Sequence, residues 1–293
     1  MLNISASLKR CPTPGSREPI FPPELEREIM EETARSYPGS AVSLALVSRR
    51  ARMWMETFIY ETVTLSTIAI CERFLYTMKQ RPLSFFVAHV KSLCIPGDIP
   101  PSDAEKVLVV CQGVVNLACW PMNGPPLFHL VSDLRPKRLS INTSGMFGVN
   151  VPPDFRHPFF QNVTHLEIVD WLWCSWSGLE FIPCLTHLAL DLDNYHDGVV
   201  DRLRQIMSSC RTLAVCICFV PSDRAMIQAQ KAVSNIDDKR LVVLSDSDPL
   251  ENWEASLKGD RGGSYASLWE FATAIVEDRS NDTMDDLEAE SHD

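Results

Sequence analysis

The chain has 293 residues, is 45% hydrophobic and 22% charged, and carries a formal net charge of −11, which places it among ordinary globular proteins with enough length to bury a large core. Its last seventeen residues hold eight acids against one Arg and so account for −7 of that charge, leaving −4 for the rest. A mildly acidic surface without a run of Lys or Arg lacks the electrostatic footprint that a phosphate backbone requires, so nucleic acid is not an expected partner.

The first nineteen residues, MLNISASLKRCPTPGSREP, contain no apolar run of the length a secretory signal needs, and no stretch of eighteen apolar residues occurs anywhere. The expectation is an intracellular protein, cytoplasmic or nuclear, with no membrane partner and with 1–19 as a disordered leader. The basic, Ser-rich character of that leader also fits a transit peptide. Ten cysteines occur, most of them within apolar runs such as VVCQG, NLACW and LAVCICF, and they read as reduced core thiols. No C-x-x-C is present and Cys216-x-Cys218 alone is a poor metal signature, so neither a metal nor a cofactor is expected.

FPPELEREIM (21–30) opens a helix: Pro22 and Pro23 suit the first positions, where a missing N–H costs nothing, and Glu24, Glu26 and Glu28 favour the positive end of the dipole. Leu25 and Ile29 share one face. YPGS (37–40) stops this helix, and Ser40 is suited to cap a second one running over 41–60. The apolar residues of that second helix, Val42, Leu44, Leu46, Val47, Trp54, Phe58 and Ile59, are too numerous for a single stripe.

The succession of PPELEREI, ALVSRR, a Trp and the aromatic-rich FIYETVTL resembles the F-box-like domain over residues 20–65. The resemblance implies helices that bind the small adaptor subunit of cullin-based ubiquitin ligases through an exposed apolar patch. Pro23, Leu25 and Ile29 of the first helix and Leu46 and Val47 of the second would supply that contact. Many members of the family carry an aromatic directly after the basic pair of the second helix, whereas Ala51 follows Arg49 and Arg50 here. Read from the helix pattern alone, Leu25 and Ile29 also fit simple packing onto the segments that follow.

Beyond residue 85 one pattern recurs: an apolar residue or its substitute, two others, Leu, one other, then an apolar residue. VKSLCI, VVNLAC, PKRLSI, VTHLEI, LTHLAL, CRTLAV and DKRLVV place the shared Leu at 93, 117, 139, 166, 188, 213 and 241, with gaps of 24, 22, 27, 22, 25 and 28 residues. These gaps suit a strand and a return segment per repeat, and residues 66–262 resemble a degenerate leucine-rich repeat. Return helices are predicted over 102–111, 197–210 and 223–233. An ordinary α/β domain gives similar strand spacings, but no G-x-G-x-x-G or Walker loop follows any strand.

Period-two alternation turns the residues beside each shared Leu away from the core. The position before it reads Ser92, Asn116, Arg138, His165, His187, Thr212 and Arg240, and neighbouring positions add Trp120, Asn142, Glu167 and Asp191. This column predicts an open polar ladder, with Asn116, Trp120, Arg138, Asn142, His165, Glu167, His187 and Asp191 as the face for a protein partner. The adjacent pair His165 and His187 suits either a solvated face or a pH-sensitive contact. Neither His stands beside a Ser or Cys nucleophile in a recognisable motif, so no catalysis is expected. Trp171, Trp173 and Trp176, on the loop after a strand, either roof the core or anchor a partner.

Residues 263–278, with Leu268, Phe271, Ala272 and Ile275 at helical spacing, predict a helix that caps the last repeat and shields its sheet edge, and 279–293 an acidic disordered tail. The expected fold is therefore α/β: a short N-terminal helical F-box-like module, an irregular leucine-rich-repeat solenoid and a C-terminal capping helix. The expected function is that of a non-enzymatic substrate receptor of a cullin-type ubiquitin ligase for an unknown protein target. The alternative is a leucine-rich-repeat scaffold with no ligase link.

Overall fold

In the computed structural model, which describes residues 21–37, 39–169, 176–192, 197–245, 248–259 and 267–290, the chain divides into two units, Met1–Ile59 and Tyr60–Asp293. The expected leader and the residues Trp171 and Trp173 lie outside the described residues.

Within the first unit the proline opening does what its chemistry suggests. Helix α1 (Pro23–Ser36) begins with Pro at its first turn and has Glu24 and Glu26 beside its positive end. The single second helix expected over 41–60 is two. Helix α2 (Ser40–Leu44) ends early and α3 (Arg49–Glu61) starts afresh. The break has a local cause: Ser48 Oγ accepts from Ala51 N at 3.1 Å, capping α3. In the turn between them Leu46 N and Val47 N bond back to Ser43 O and Leu44 O.

The second unit is built on eight strands, β1 (Thr62–Thr64), β2 (Ser92–Ile95), β3 (Asn116–Cys119), β4 (Arg138–Ile141), β5 (His165–Ile168), β6 (His187–Asp191), β7 (Val215–Val220) and β8 (Leu241–Ser245). They form one sheet, all neighbours parallel, in the order of the chain. The order never reverses, so the sheet has no switch point of the kind at which doubly wound folds bind nucleotides. Every connection steps one strand in the same direction, which puts the return segments on one face.

The register makes the leucine ladder literal. Val63, Leu93, Leu117, Leu139, Leu166, Leu188, Cys216 and Leu241 stand opposite one another along the sheet. Two departures from the expectation appear. β1 adds an eighth strand ahead of the first expected one, and at β7 Cys216 takes the rung assigned to Leu213, which is buried just before the strand. Thr212 therefore leaves the column, and Val215 replaces it opposite His187.

Behind the ladder the returns follow the room each gap allows. The predicted helices are present as α6 (Pro101–Val110), α8 (Asp197–Ser209) and α9 (Asp223–Ser234), joined by α4 (Ile68–Met78), α5 (Leu83–His89) and the single turn α7 (Thr143–Phe147). Thr67 and Ser222 cap α4 and α9 with their hydroxyls. Between β3 and β6 the described residues of the returns form α7 and the 3-10 turns Phe128–Leu130, Pro158–Phe160 and Leu179–Phe181. Aromatic volume fills the layer there: Phe128 lies edge-on to Phe159 at 5.4 Å, and Phe160 lies within 5.0 Å of both Phe155 and Phe159. These residues and the ladder form one continuous core.

Eight of the ten cysteines are described, all as free thiols; seven are buried and Cys184 is exposed. Burial pushes the thiols of Cys111 and Cys119 up to about 12, and that of Cys94 higher still, which keeps them protonated and unreactive. Brief alkylation of the native protein followed by peptide mapping should therefore mark Cys184 at least about a hundredfold faster than Cys94, Cys111 or Cys119. Comparable labelling of all four would refute the packing described.

Candidate protein-binding sites

Two surfaces bear on function, one in each unit. In the first unit, α1 has no buried residue. Its partly covered side carries Glu26, Met30 and Ala34, and the Glu26 carboxylate pairs with Arg50 of α3. Arg35 also lies over the Phe58 ring, 5.5 Å from its centre. The side left in solvent carries Leu25 and Ile29, 47% and 53% exposed. These two aliphatics stand exposed among the charged residues Glu24, Glu28 and Glu32. Leu25, Ile29, Thr33 and Tyr37 line an open groove of about 380 Å³, with Glu28 and Glu32 among its walls.

Pro23 is exposed at the start of the same helix. Leu46 and Val47, at 85% and 66% exposed, occupy the turn after α2 rather than a helix face, and they do not line that groove. Ala51, at the place where the resemblance leads one to look for an aromatic, is fully buried.

In the second unit the sheet face opposite the returns is not open. Helices α10 (Pro249–Gly259) and α11 (Leu268–Glu290) lie on it. The expected open ladder is corrected accordingly, residue by residue. Trp120, Asn142 and Glu167 are buried, while Asn116, Arg138, His165, His187 and Asp191 are half-buried. The buried polar groups satisfy one another, as burial requires. Asn116 Nδ2 donates to Ser92 Oγ at 2.9 Å, Trp120 Nε1 to Ser140 Oγ at 2.9 Å, and Ser140 Oγ to Glu167 Oε2 at 2.6 Å. Asn142 is a cap: its Oδ1 accepts from Gly145 N at the start of α7, and its Nδ2 donates to Val169 O. Arg240 likewise leaves the column, reaching Asp238 and the carbonyls of Met207 and Leu213.

The histidine pair is brought together as the spacing requires. The rings of His165 and His187 stack with centres 4.1 Å apart and planes 5° from parallel, and Trp269 of α11 meets both edge-on at 5.3 and 5.7 Å. The Thr164 and Thr186 hydroxyls each donate to a carbonyl at the preceding strand, of Lys137 and Thr164. Each hydroxyl oxygen then accepts from its own neighbour's Nδ1–H, at 2.9 and 2.8 Å, which places a proton on Nδ1 of both rings. Burial, with His187 and the Arg138 guanidinium close by, pulls His165 down to about 3; burial and Arg138 lower His187 as well.

Helix α10 was invisible to the repeat pattern, yet its signals are in the sequence. Asp248 Oδ1 accepts from Leu250 N, Pro249 follows as the first helical residue, and Leu250, Trp253 and Leu257 form a stripe. Helix α11 starts on a capping box, Ser267 N donating to Glu270 Oε2 and Glu270 N to Ser267 Oγ. It runs on to Glu290 instead of ending at 278. More than the last sheet edge lies under it, since its Trp269 and Ala272 pack with Ala189, Val215 and Ile217.

Among the described residues no cluster of three or more His, Cys, Asp or Glu is placed to hold a metal, and no helix is long and apolar enough to cross a membrane. Comparison with protein-family models, with curated proteins and with solved structures finds no match.

Proposed function

We propose that the chain is a protein-interaction receptor: its first unit is an F-box-like module that binds the small adaptor subunit of a cullin-type ubiquitin ligase, and its second is a degenerate leucine-rich-repeat solenoid that binds the target. The observation that carries this reading is the exposure of Leu25 and Ile29 on α1, where they line an open groove. Exposed aliphatics on a helix beside a groove are the usual mark of a docking surface. Eight parallel strands in chain order, with a shared apolar rung, support the repeat reading. On this reading the chain catalyses nothing itself; it brings target and ligase together, and other subunits transfer ubiquitin.

Purified chain mixed with the adaptor should give an equimolar complex. Replacing Leu25→Asp together with Ile29→Asp should weaken that complex by about a hundredfold or more, because two carboxylates would have to be desolvated in the interface. The helical circular dichroism and the melting temperature should stay as they were, since both positions are exposed. An undiminished complex in the double variant sinks the assignment of the site.

A second reading keeps the repeat surface and drops the ligase. Buried Ala51, where many members of the family carry an aromatic after the basic pair, favours it. Recovery of the full-length chain free of adaptor with both partners at micromolar concentration would decide for this scaffold.

A further inference from the structure

Among the described residues no strand lies beyond β8, and none lies beyond β1 at the other end of the sheet. Each edge therefore turns a row of backbone groups outward. Natural edges are guarded by shortness, charge, proline or a bulge. β1 has only three residues. β8, LVVLS, has five, pairs with β7 in unbroken register and contains neither a charge nor a proline.

Parity along β8 shows which groups face outward. Arg240 O accepts from Cys216 N, so residues 240, 242 and 244 bond toward β7, and 241, 243 and 245 point away from it. The chain closes the first outward position itself: Leu241 N donates to Asp238 O, and Leu241 O accepts from Arg279 Nη1 of α11 at 2.7 Å. The next position stays open. The N–H and C=O of Val243 have no partner among the described residues. Its side chain ends the inward column that runs in register from Ile95 to Cys218, every member of which is fully buried, whereas Val243 is half-buried. Beside it, half-buried Val233 of α9 lines an open groove of about 360 Å³ together with Ser234, Leu241 and Arg279.

We propose that this edge is the contact between two copies of the chain, which pair their β8 strands antiparallel across a twofold axis through Val243. The position of the open groups selects a second copy. A residue on a twofold axis meets itself, and Val243 turns outward both the N–H and the C=O that a hydrogen-bonded antiparallel pair exchanges. The same axis sets Leu241 opposite Ser245, whose N–H reaches the Leu241 carbonyl beside Arg279; a carbonyl oxygen accepts two such bonds. The two grooves then meet, Val233 and Val243 of one copy facing those of the other, and one sheet runs through both. This rests on the fold of the second unit and on neither adaptor nor target binding.

Sedimentation of the full-length chain should show monomer passing to dimer between about 1 and about 100 µM, the range that a small interface allows. Val243→Pro should weaken the dimer at least about thirtyfold, because each copy loses the N–H it donates. Proline is tolerated where an edge N–H faces outward, so the variant should keep the wild-type circular dichroism. Should it fail to fold, Val233→Lys takes its place, setting a charge on α9 against its own copy, with the same weakening expected. In wild type the amide of Val243 should gain at least about tenfold protection from exchange over that concentration range, while that of Val242, already bonded to β7, stays as it was. A chain that remains monomeric at about 100 µM, or a dimer that the folded variant leaves undiminished, overturns the proposal. Adaptor capture is read on the first unit, so its loss leaves these results where they were and the two readings fail separately.

Discussion

Gly145→Ala should lower the stability of the second unit by about 3 kcal/mol, the upper range for forcing atoms into a filled core. A Cβ at that position would stand 1.8 Å from the carbonyl oxygen of Pro121 and 3.0 Å from its carbon, both backbone atoms that cannot rotate aside. The neighbourhood has little freedom to move. Gly145 N is held by Asn142 Oδ1, Gly145 O accepts from Leu127 N, and Asn142 is tied through Nδ2 to Val169 O at the end of β5. Shifting α7 to relieve the contact breaks that set, and leaves buried Asn142 atoms without partners. At roughly 2–4 °C per kcal/mol for a unit of this size, thermal unfolding should move down by about 6–12 °C. Gly113, whose Cβ would fall 1.9 Å from Val87 O, should respond in the same way. A melting temperature within about a degree of wild type for both would mean that these backbone approaches are misplaced.

Sequence made the ladder legible because a rung that recurs at nearly constant spacing and faces one way can only be a stacked strand. It misplaced β7 because CRTLAV imitates the motif, whereas the strand is the fully buried VCICFV three residues on, with a Cys on the rung. β1 escaped because its rung is a Val in a strand of three residues. The covered face was misread for a more general reason. A polar column on alternate positions looks the same whether it is solvated or buried and paired; only the coordinates show Asn116 bonded to Ser92 and Ser140 to Glu167. One local hint was available. The other column on that face holds Cys94, Ala118, Ser140, Glu167 and Ala189, and all but Glu167 are small side chains that leave a helix space to approach. The α1 site was easier, because proline placement and the spacing of Leu25 and Ile29 are local properties, although the sequence pattern alone left open which way those two residues point.

Acid should loosen the second unit through the stacked histidines. A neutral imidazole is held in the fold with its proton affinity lowered to about 3 at His165, against an ordinary 6.5 in the unfolded chain. Between those two values the unfolded state binds the extra proton, so stability rises with pH; the contribution is fully present above about pH 6.5 and is lost as pH falls toward 3. At pH 5 the linkage for a fully buried group comes to about 2 kcal/mol, and His165, which keeps some solvent contact, should give about 1 kcal/mol. The groups facing the pair set the direction: Arg138 on β4 and the second ring on β6 repel an added charge, Glu167 on β5 is engaged by Ser140, and α11 offers the edge of Trp269 and the hydroxyl of Thr273. None of these supplies a free counter-charge to a new imidazolium. Urea unfolding at pH 7 and pH 5 should therefore show a loss that His165→Asn reduces by about 1 kcal/mol, since the substituted side chain does not titrate. Carboxylates elsewhere contribute equally to both proteins and cancel in the difference. Identical pH dependence in wild type and variant would mean that His165 is solvated when folded, and that α11 does not lie over it.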